Sequence, residues 1–118
     1  MPIFEVESWR VAEEREEGHR EWMRHWLKWG NDHPELFPEW RSVRYFVKTI
    51  AGEASERHLV ILEYESLADV EAYKERRGDY EGPYEEYKGN DPYHHGVFRH
   101  QSMKVELWKD LETDLWIE

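Results

Sequence analysis

The spacing of apolar and polar positions changes several times along the chain, and each change predicts a new element. Residues 3–11 alternate with a period of two and are rich in β-branched and aromatic side chains, which predicts a strand. One face of this strand carries Phe4, Val6 and Ser8. The other combines apolar and acidic residues: Ile3, Glu5, Glu7, Trp9 and Val11.

A helical period replaces the alternation over residues 13–30. Trp22, Trp26 and Trp29 recur there at spacings of four and three, which places three indoles on one stripe of a helix. Glutamates crowd the first turns, where they interact favourably with the positive end of the helix dipole. Gly30–Asn31 predicts the C-terminal end, and Pro34 prevents continuation of the helix.

Three more strands and a second helix follow. The strands are predicted over 41–50, 58–65 and 101–108, with a polar break of hairpin length at 51–56. The strand over 58–65 is apolar on both faces in its first half, which is typical of a central strand. Ser66 is the predicted N-cap of the second helix, and Gly78 ends it.

Two segments lie outside this regular pattern. Residues 78–100 contain Tyr80, Tyr84, Tyr87 and Tyr93, and they predict a tyrosine-rich lobe with one short helix near residues 84–87. The last ten residues, 109–118, mix acidic and apolar side chains, and we expect this tail to dock on a partner surface.

The order strand, helix, strand, strand, helix, strand predicts an α+β fold of ferredoxin-like βαββαβ topology. Its antiparallel sheet carries two helices on one face, and residues 1–118 form a single domain of ordinary size. The second face of the sheet is also partly apolar, so we expect a second copy of the chain to cover it in a homodimer.

Composition narrows the range of partners. The chain has 27 acidic residues against 16 Lys and Arg, and a formal net charge of -11. Such an acidic surface argues against nucleic acid and membrane surfaces as partners. The chain has no cysteine, so it has no disulfide or thiolate metal site, and we expect a cytoplasmic protein. Charged residues make up 36% of the chain, and this high fraction favours a thermophilic source and a melting temperature above the mesophile range.

Residues 57–73, RHLVILEYESLADVEAY, resemble the third strand and second helix of the dimeric α+β barrel superfamily, and residues 42–46 resemble its second strand. The match in order and length extends over roughly residues 1–110. The superfamily includes small antibiotic-biosynthesis-type monooxygenases, haem-binding and haem-degrading proteins and muconolactone-isomerase-like enzymes. The resemblance implies a dimeric barrel whose subunits each hold a ligand between helices and sheet, and no residue set matches one subgroup.

The candidate pocket that follows from this pattern lies between the first helix and the sheet. Trp22 and Trp26 are its predicted walls, and His19 is the nearest titratable group and the candidate catalytic residue. Tyr45 and Tyr64 are candidates to contribute a hydroxyl group from the strands. A core packed by the three indoles is the structural alternative.

Two functions remain open for such a pocket. In the first, the protein is a cofactor-independent monooxygenase or isomerase that acts on a small aromatic compound, with His19 as the proton carrier. In the second, it is a non-catalytic module that binds haem or another hydrophobic molecule, or a structural dimer with no chemistry.

Two other clusters have structural explanations. His94, His95 and His100 lack a regular metal-ligand spacing, so a structural loop is favoured and no metal site is predicted. Glu63 and Glu65 share one strand face and could divide acid and base roles. Their expected partners are the basic residues of the neighbouring strand: Arg41, Arg44 or Lys48.

Overall fold

The part of the chain described by the computed structural model, residues 2–48 and 57–109, contains one four-stranded antiparallel sheet. Its spatial order is β2-β3-β1-β4, so β1 and β3 are the inner strands. This topology confirms the predicted ferredoxin-like α+β fold. The strands are β1 (Ile3–Val11), β2 (Ser42–Val47), β3 (Arg57–Tyr64) and β4 (Phe98–Lys109), and the helices are α1 (Glu16–Asp32), α2 (Leu67–Arg77) and α3 (Glu85–Lys88).

Both ends of α1 differ from the prediction. The helix begins at Glu16 rather than at residue 13, because Glu14 adopts a left-handed backbone with a φ of 63° in the preceding turn. It continues past Gly30 to Asp32, and the His33 N–H then donates to the Gly30 carbonyl at 3.2 Å. Gly30 is therefore inside the helix and not its cap, and Pro34 enforces the end.

The second helix ends as the sequence predicts. The Ser66 side chain accepts a hydrogen bond from the Asp69 backbone N–H at 3.3 Å, which satisfies one of the free donors of the first turn. Gly78 follows the last turn with a φ of 55°. A positive φ favours glycine at this position, whereas the nearest side-chain atom to an added Cβ, Glu81 Oε2 at 2.9 Å, is the mobile end of a flexible side chain.

The last strand is longer than predicted. It begins at Phe98, which pairs with Val11, and a register shift opposite Trp9 interrupts its pairing with β1. Between α2 and β4 the tyrosine-rich segment forms α3, close to the predicted short helix, between 3-10 turns at Gly82–Tyr84 and Pro92–His94. The predicted hairpin at 51–56, the end of the second strand at 49–50 and the tail at 110–118 lie outside the described residues.

One face of the sheet, which we call the inner face, is covered by the helices. It carries Trp9, Val60, Leu62 and Tyr64, which are almost fully buried. Met23, Trp26 and Trp29 of α1 and Val70 and Tyr73 of α2 belong to the same core cluster. No helix among the described residues has the length and apolarity needed to cross a membrane.

Four aromatic side chains meet where α1 crosses β1, β2 and β3. Trp9 Nε1 donates a hydrogen bond to His19 Nε2 at 2.9 Å, and His19 is only 1% exposed. His58 lies against His19, with ring centroids 4.5 Å apart, and shares a hydrogen bond with the Tyr45 hydroxyl. Burial lowers the pKa of His19 to about 4, with a smaller contribution from His58, and it also lowers the pKa of His58.

Stability should therefore depend on the charge state of His19. The folded protein keeps this imidazole neutral down to about pH 4, whereas the unfolded chain protonates it near pH 6.5, so its contribution falls as the pH drops between these values. We expect the stability advantage of the wild type over His19→Gln to shrink by roughly 3 kcal/mol between pH 7 and pH 4. Urea unfolding at each pH measures the difference. The exposed His25→Gln serves as control, and an advantage of His19 that does not change with pH would contradict the assignment.

Candidate functional site

A cleft opens between the inner face of the sheet and the segment from α2 to the start of β4. Its volume is about 440 Å³. Strands β1, β3 and β4 form the floor, and α2, α3 and the 3-10 turn at Pro92–His94 form the opposite wall. The residues that line it include four acidic groups, five tyrosines and two cations: Glu5, Glu7, Asp79, Asp91, Tyr64, Tyr73, Tyr80, Tyr87, Tyr93, Lys74 and Arg77.

Glu5 and Glu7 bring two carboxylates to the floor of this cleft. They are two residues apart on β1, so both point to the inner face. Apolar residues stand opposite Glu7 on both neighbouring strands, Val60 on β3 and Val105 on β4. Glu5 is 3% exposed, and its Oε1 has no hydrogen-bond partner among the described residues. The Lys74 ammonium lies 3.2 Å from that oxygen and forms an ion pair with it.

Burial raises the pKa of Glu7 to about 8. The adjacent Glu5 carboxyl and its negative charge raise it further, and the positive charge of Lys74 opposes the shift. Near neutral pH Glu7 therefore keeps its proton, beside the Glu5 carboxyl group that is ion-paired with Lys74. Two neighbouring carboxyl groups in different environments are a common arrangement for acid–base chemistry.

Four tyrosines of the cleft are held in the protonated form. Burial raises the pKa values of Tyr64, Tyr73, Tyr80 and Tyr87, each of which is partly or fully enclosed. The Tyr64 hydroxyl accepts a hydrogen bond from Trp40 Nε1 at 3.0 Å, and the Tyr87 hydroxyl accepts one from Trp26 Nε1 at 2.9 Å. These hydroxyl groups keep their own protons available for donation into the cleft.

Tyr80 is held in an unusual conformation at the rim. Its φ of 59° is left-handed, which is uncommon for a residue with a bulky side chain. The hydroxyl donates to Asp91 Oδ2 at 2.6 Å, and the Arg77 guanidinium lies 5.2 Å from the ring centroid. Arg77 also lies 5.7 Å from the Tyr73 ring. The surrounding contacts thus maintain a strained residue at the cleft, as often happens at functional sites.

The predicted pocket residues do not meet in one cavity. Tyr64 lines the cleft described above, but Tyr45 lies farther along the inner face in its hydrogen bond with His58. His19 is enclosed by Trp9, Tyr45, His58 and Phe98. It does not line the cleft, and its catalytic role stays a prediction.

Trp22 and Trp26 contact different parts of the protein. Trp26 is buried and borders a separate depression of about 240 Å³ between the end of α1 and β2, together with Gly30 and Trp40. Trp22 is only partly buried, and its ring stacks on His95 with centroids 3.8 Å apart. The buried residues of α1 are His19, Met23, Trp26 and Trp29.

The other two clusters behave as structural groups. His95 and His100 contact the carbonyls of Gly89 and Tyr93, and only His94 reaches the rim of the cleft. Within residues 2–48 and 57–109, no three His, Asp or Glu side chains are placed to hold a metal ion. Glu63 accepts a hydrogen bond from Ser42 Oγ at 2.9 Å. Over the same residues neither Glu63 nor Glu65 forms an ion pair with the expected partners, Arg41, Arg44 and Lys48, so that expectation was wrong.

The carboxylate pair was the site that sequence reasoning missed. Its signal is present in the pattern of β1, where Glu5 and Glu7 share a face with Ile3, Trp9 and Val11. Acidic residues on an otherwise apolar strand face are either solvated at the edge of the sheet or buried beside a group that compensates their charge. Only the inner position of β1 in the sheet distinguishes the two cases.

Comparison with known proteins supports the fold and assigns no function. No family model matches the sequence, and no curated protein does. Solved structures do match. A NIPSNAP family protein from Agrobacterium tumefaciens is 14% identical with a TM-score of 0.65, and the alignment covers 96% of each chain. A candidate antibiotic biosynthesis monooxygenase from Bordetella bronchiseptica is 14% identical with a TM-score of 0.62, and 94% of this chain and 98% of that one align.

A third similar structure is a dimeric protein of unknown function with a ferredoxin-like fold from Bacteroides fragilis. It is 13% identical with a TM-score of 0.62, and the alignment covers 92% of this chain and 96% of that one. These matches agree with the superfamily resemblance of residues 57–73 at the level of the fold. No subgroup is assigned by them.

The proton on Glu7 should make stability fall with rising pH. The folded protein retains this proton up to about pH 8, whereas a glutamate in the unfolded chain loses it near pH 4.5, so the stabilisation present at low pH is lost as the pH rises through this interval. We expect Glu7→Gln to lose less unfolding free energy than the wild type between pH 6.5 and pH 9, as measured by urea unfolding. The exposed Glu21→Gln is the control and should follow the wild type. Parallel profiles for Glu7→Gln and wild type would show that Glu7 is ionised in the folded protein.

Proposed function

We propose that this protein is an enzyme that transfers protons to and from a small aromatic or phenolic compound bound in the cleft. The reaction class is cofactor-independent isomerisation, or oxygenation that begins with removal of a proton from the substrate. The observation that carries the proposal is the Glu5–Glu7 pair, in which one carboxyl group is held neutral near pH 7 beside a second that is paired with Lys74.

The two carboxyl groups suit complementary roles. Neutral Glu7 can donate its proton to an oxygen atom of the substrate, and Glu5 can accept a proton from an acidic C–H or O–H group. An acid with a pKa near the working pH is the most effective in this role. The Lys74 ammonium, 3.2 Å from Glu5 Oε1, stabilises the carboxylate form that accepts the proton.

Aromatic side chains around the carboxylates favour a planar substrate. Trp40, Tyr64, Tyr73 and Phe98 line the cleft and present ring surfaces, which pack well against an aromatic ring. The tyrosine hydroxyl groups supply donors to substrate oxygens. The similar structure described as a candidate antibiotic biosynthesis monooxygenase supports this reaction class by analogy of fold alone.

Haem fits this cleft poorly. The porphyrin carries two propionates, and the cleft presents four acidic residues against Lys74 and Arg77. His94 at the rim is the single described histidine that lines the cleft, and burial lowers its pKa, which favours the neutral imidazole that a haem ligand requires. The surrounding carboxylates nevertheless repel the propionates, so the residues of this cleft do not fit haem.

The assay for this proposal compares Glu5→Gln and Glu7→Gln with the wild type on a panel of quinols, phenols and enol lactones. We expect each substitution to lower turnover by about 100-fold or more, because general acid–base catalysis typically contributes that much. Substrate binding, followed by tryptophan fluorescence, should change little. Oxygen uptake and ultraviolet spectra separate oxygenation from isomerisation.

Glu63→Gln is the matched control, since Glu63 is a strand carboxylate outside the cleft, and it should retain full activity. Full activity in both cleft variants would overturn the proposal. Loss of activity in His19→Gln alone would favour the histidine instead. Ligand binding by the wild type with no turnover of any compound in the panel would favour the binding module.

We further propose that the protein is a homodimer formed through the outer face of the sheet, which is the face opposite the helices. Phe4, Val6, Leu59 and Ile61 lie there on the two inner strands. At the edges Phe46 is 44% exposed and Trp108 is 57% exposed. Charged residues such as Arg44, Glu63 and Glu106 share this face, but exposed large apolar side chains grouped on one sheet face are typical of an interface. The dimeric protein from Bacteroides fragilis supports this arrangement by analogy of fold.

Light scattering coupled to size exclusion tests the dimer. We expect a mass of about twice 14.5 kDa at micromolar concentration, and a mass near 14.5 kDa for Ile61→Lys because the charge would be buried at the interface. The exposed Leu67→Lys on α2 should remain dimeric. Circular dichroism shows whether each variant is folded, and a monomeric wild type would contradict the proposal.

A further inference from the structure

Three arginines form one row across the outer face of the sheet. Arg10 of β1 stands directly opposite Arg57 of β3 on one side and Arg99 of β4 on the other. We call these three residues the arginine row. Residues directly opposite in an antiparallel sheet project to the same face, so the three side chains share the outer face. The row is notable in a chain whose formal net charge is -11.

The arrangement is unfavourable unless something neutralises it. Neighbouring strands are about 5 Å apart, and like charges directly opposite each other destabilise a sheet. Two lysines increase the positive charge. The Lys48 backbone N–H donates a hydrogen bond to the Arg57 carbonyl at 2.9 Å, which places Lys48 beside the row. Lys104 of β4 stands opposite Ser8, two residues before Arg10 on β1. No carboxylate of residues 2–48 and 57–109 lies within 4.0 Å of these cationic groups.

One guanidinium is already positioned by the protein. Arg57 Nε donates to Ser8 Oγ at 3.2 Å, and its Nη2 donates to the Ser102 carbonyl at 2.6 Å. Arg57 therefore lies across β1 in a fixed orientation. Among the described residues no hydrogen bond of the Arg10 or Arg99 side chain is seen, and Arg99 is exposed.

The register shift of β4 creates a hollow at this row. Ser102 Oγ accepts from the Arg10 backbone N–H at 2.7 Å and donates to the Arg99 carbonyl at 2.6 Å, which fixes the bulged segment. The resulting depression has a volume of about 380 Å³ and is lined by the arginine row, Gln101, Ser102, Met103 and Lys104. A bulge held by a side chain thus provides a concave cationic surface.

We propose that the arginine row is a binding site for a phosphate group, either free or carried by a small molecule. Guanidinium groups bind phosphate oxygens through paired hydrogen bonds, and a dianion among three arginines removes their mutual repulsion. The net negative charge of the chain disfavours a nucleic acid backbone as the source. The arginine row lies at the end of the outer face, one level beyond Ser8 and Leu59 and outside the apolar positions proposed for the dimer interface. The carboxylate cleft is on the inner face, so this proposal stands independently of the proposed enzymatic function.

Isothermal titration with inorganic phosphate and with phenyl phosphate tests the site and distinguishes the two sources. We expect saturable binding of at least one of them to the wild type. Arg10→Gln and Arg99→Gln should each weaken it about tenfold or more, because hydrogen bonds between charged groups are worth that much. Arg24→Gln, which removes an exposed cation of α1, should bind as the wild type does. Weak, unsaturated binding that is equal in all four proteins would overturn the proposal.

A melting experiment in phosphate-free buffer provides the second readout. If the row is uncompensated, Arg99→Gln should raise the melting temperature of the free protein, and phosphate should raise that of the wild type more than that of the variant. A lower melting temperature for Arg99→Gln would mean that carboxylates of the chain already neutralise the row. Dissociation of a dimer by the same substitution would assign the row to an interface between copies. Either result would overturn the phosphate site.

Discussion

The burial of Glu5 and Glu7 on an inner strand is the constraint on which the arrangement of the inner face depends. Strand β1 has a neighbour on each side, so its inner face must be covered by the helical layer. Two carboxylates on that face cannot be packed against apolar side chains without cost. The cost is reduced in three ways. Lys74 forms an ion pair with Glu5, Glu7 keeps its proton, and the cleft above both groups remains open.

The aromatic layer around the cleft follows from the same requirement. Trp26 and Trp40 pack in the layer between helices and sheet, and each indole N–H needs an acceptor there. Tyr87 and Tyr64 provide these acceptors with their hydroxyl oxygens. The hydroxyl groups thus satisfy the indoles and still retain a proton for a ligand. The layer between helices and sheet therefore contains both an aromatic core and a polar cleft.

The two faces of the sheet differ in charge because residues alternate along each strand. On β1 the inner face carries Glu5 and Glu7, and the outer face ends at Arg10. The neighbours on the adjacent strands differ as well: apolar side chains stand opposite Glu5 and Glu7, whereas arginines stand on both sides of Arg10. One strand therefore contributes to an acidic site and to a basic site with opposite chemical preferences.

The sequence by itself determined the order of elements and several of their ends. The periods of two and 3.6 are local properties, and so is the hydrogen bond from the Asp69 N–H to the Ser66 side chain that starts α2. The position of Tyr64 on a strand and the short helix near Tyr84 also follow from local pattern. The end of α1 was wrong because Gly30 tolerates a helix as well as a cap, and the local pattern cannot choose between them.

Only the tertiary structure decided which residues meet. Three indoles at helical spacing predicted a pocket with His19, but the structure buries Met23 in the core and stacks Trp22 on His95, which is distant in sequence. The acidic residues of β1 are buried because of the helix that lies above them and the strands on each side. Burial, pKa and the location of a cleft depend on neighbours distant in sequence, and for that reason no local pattern contains them.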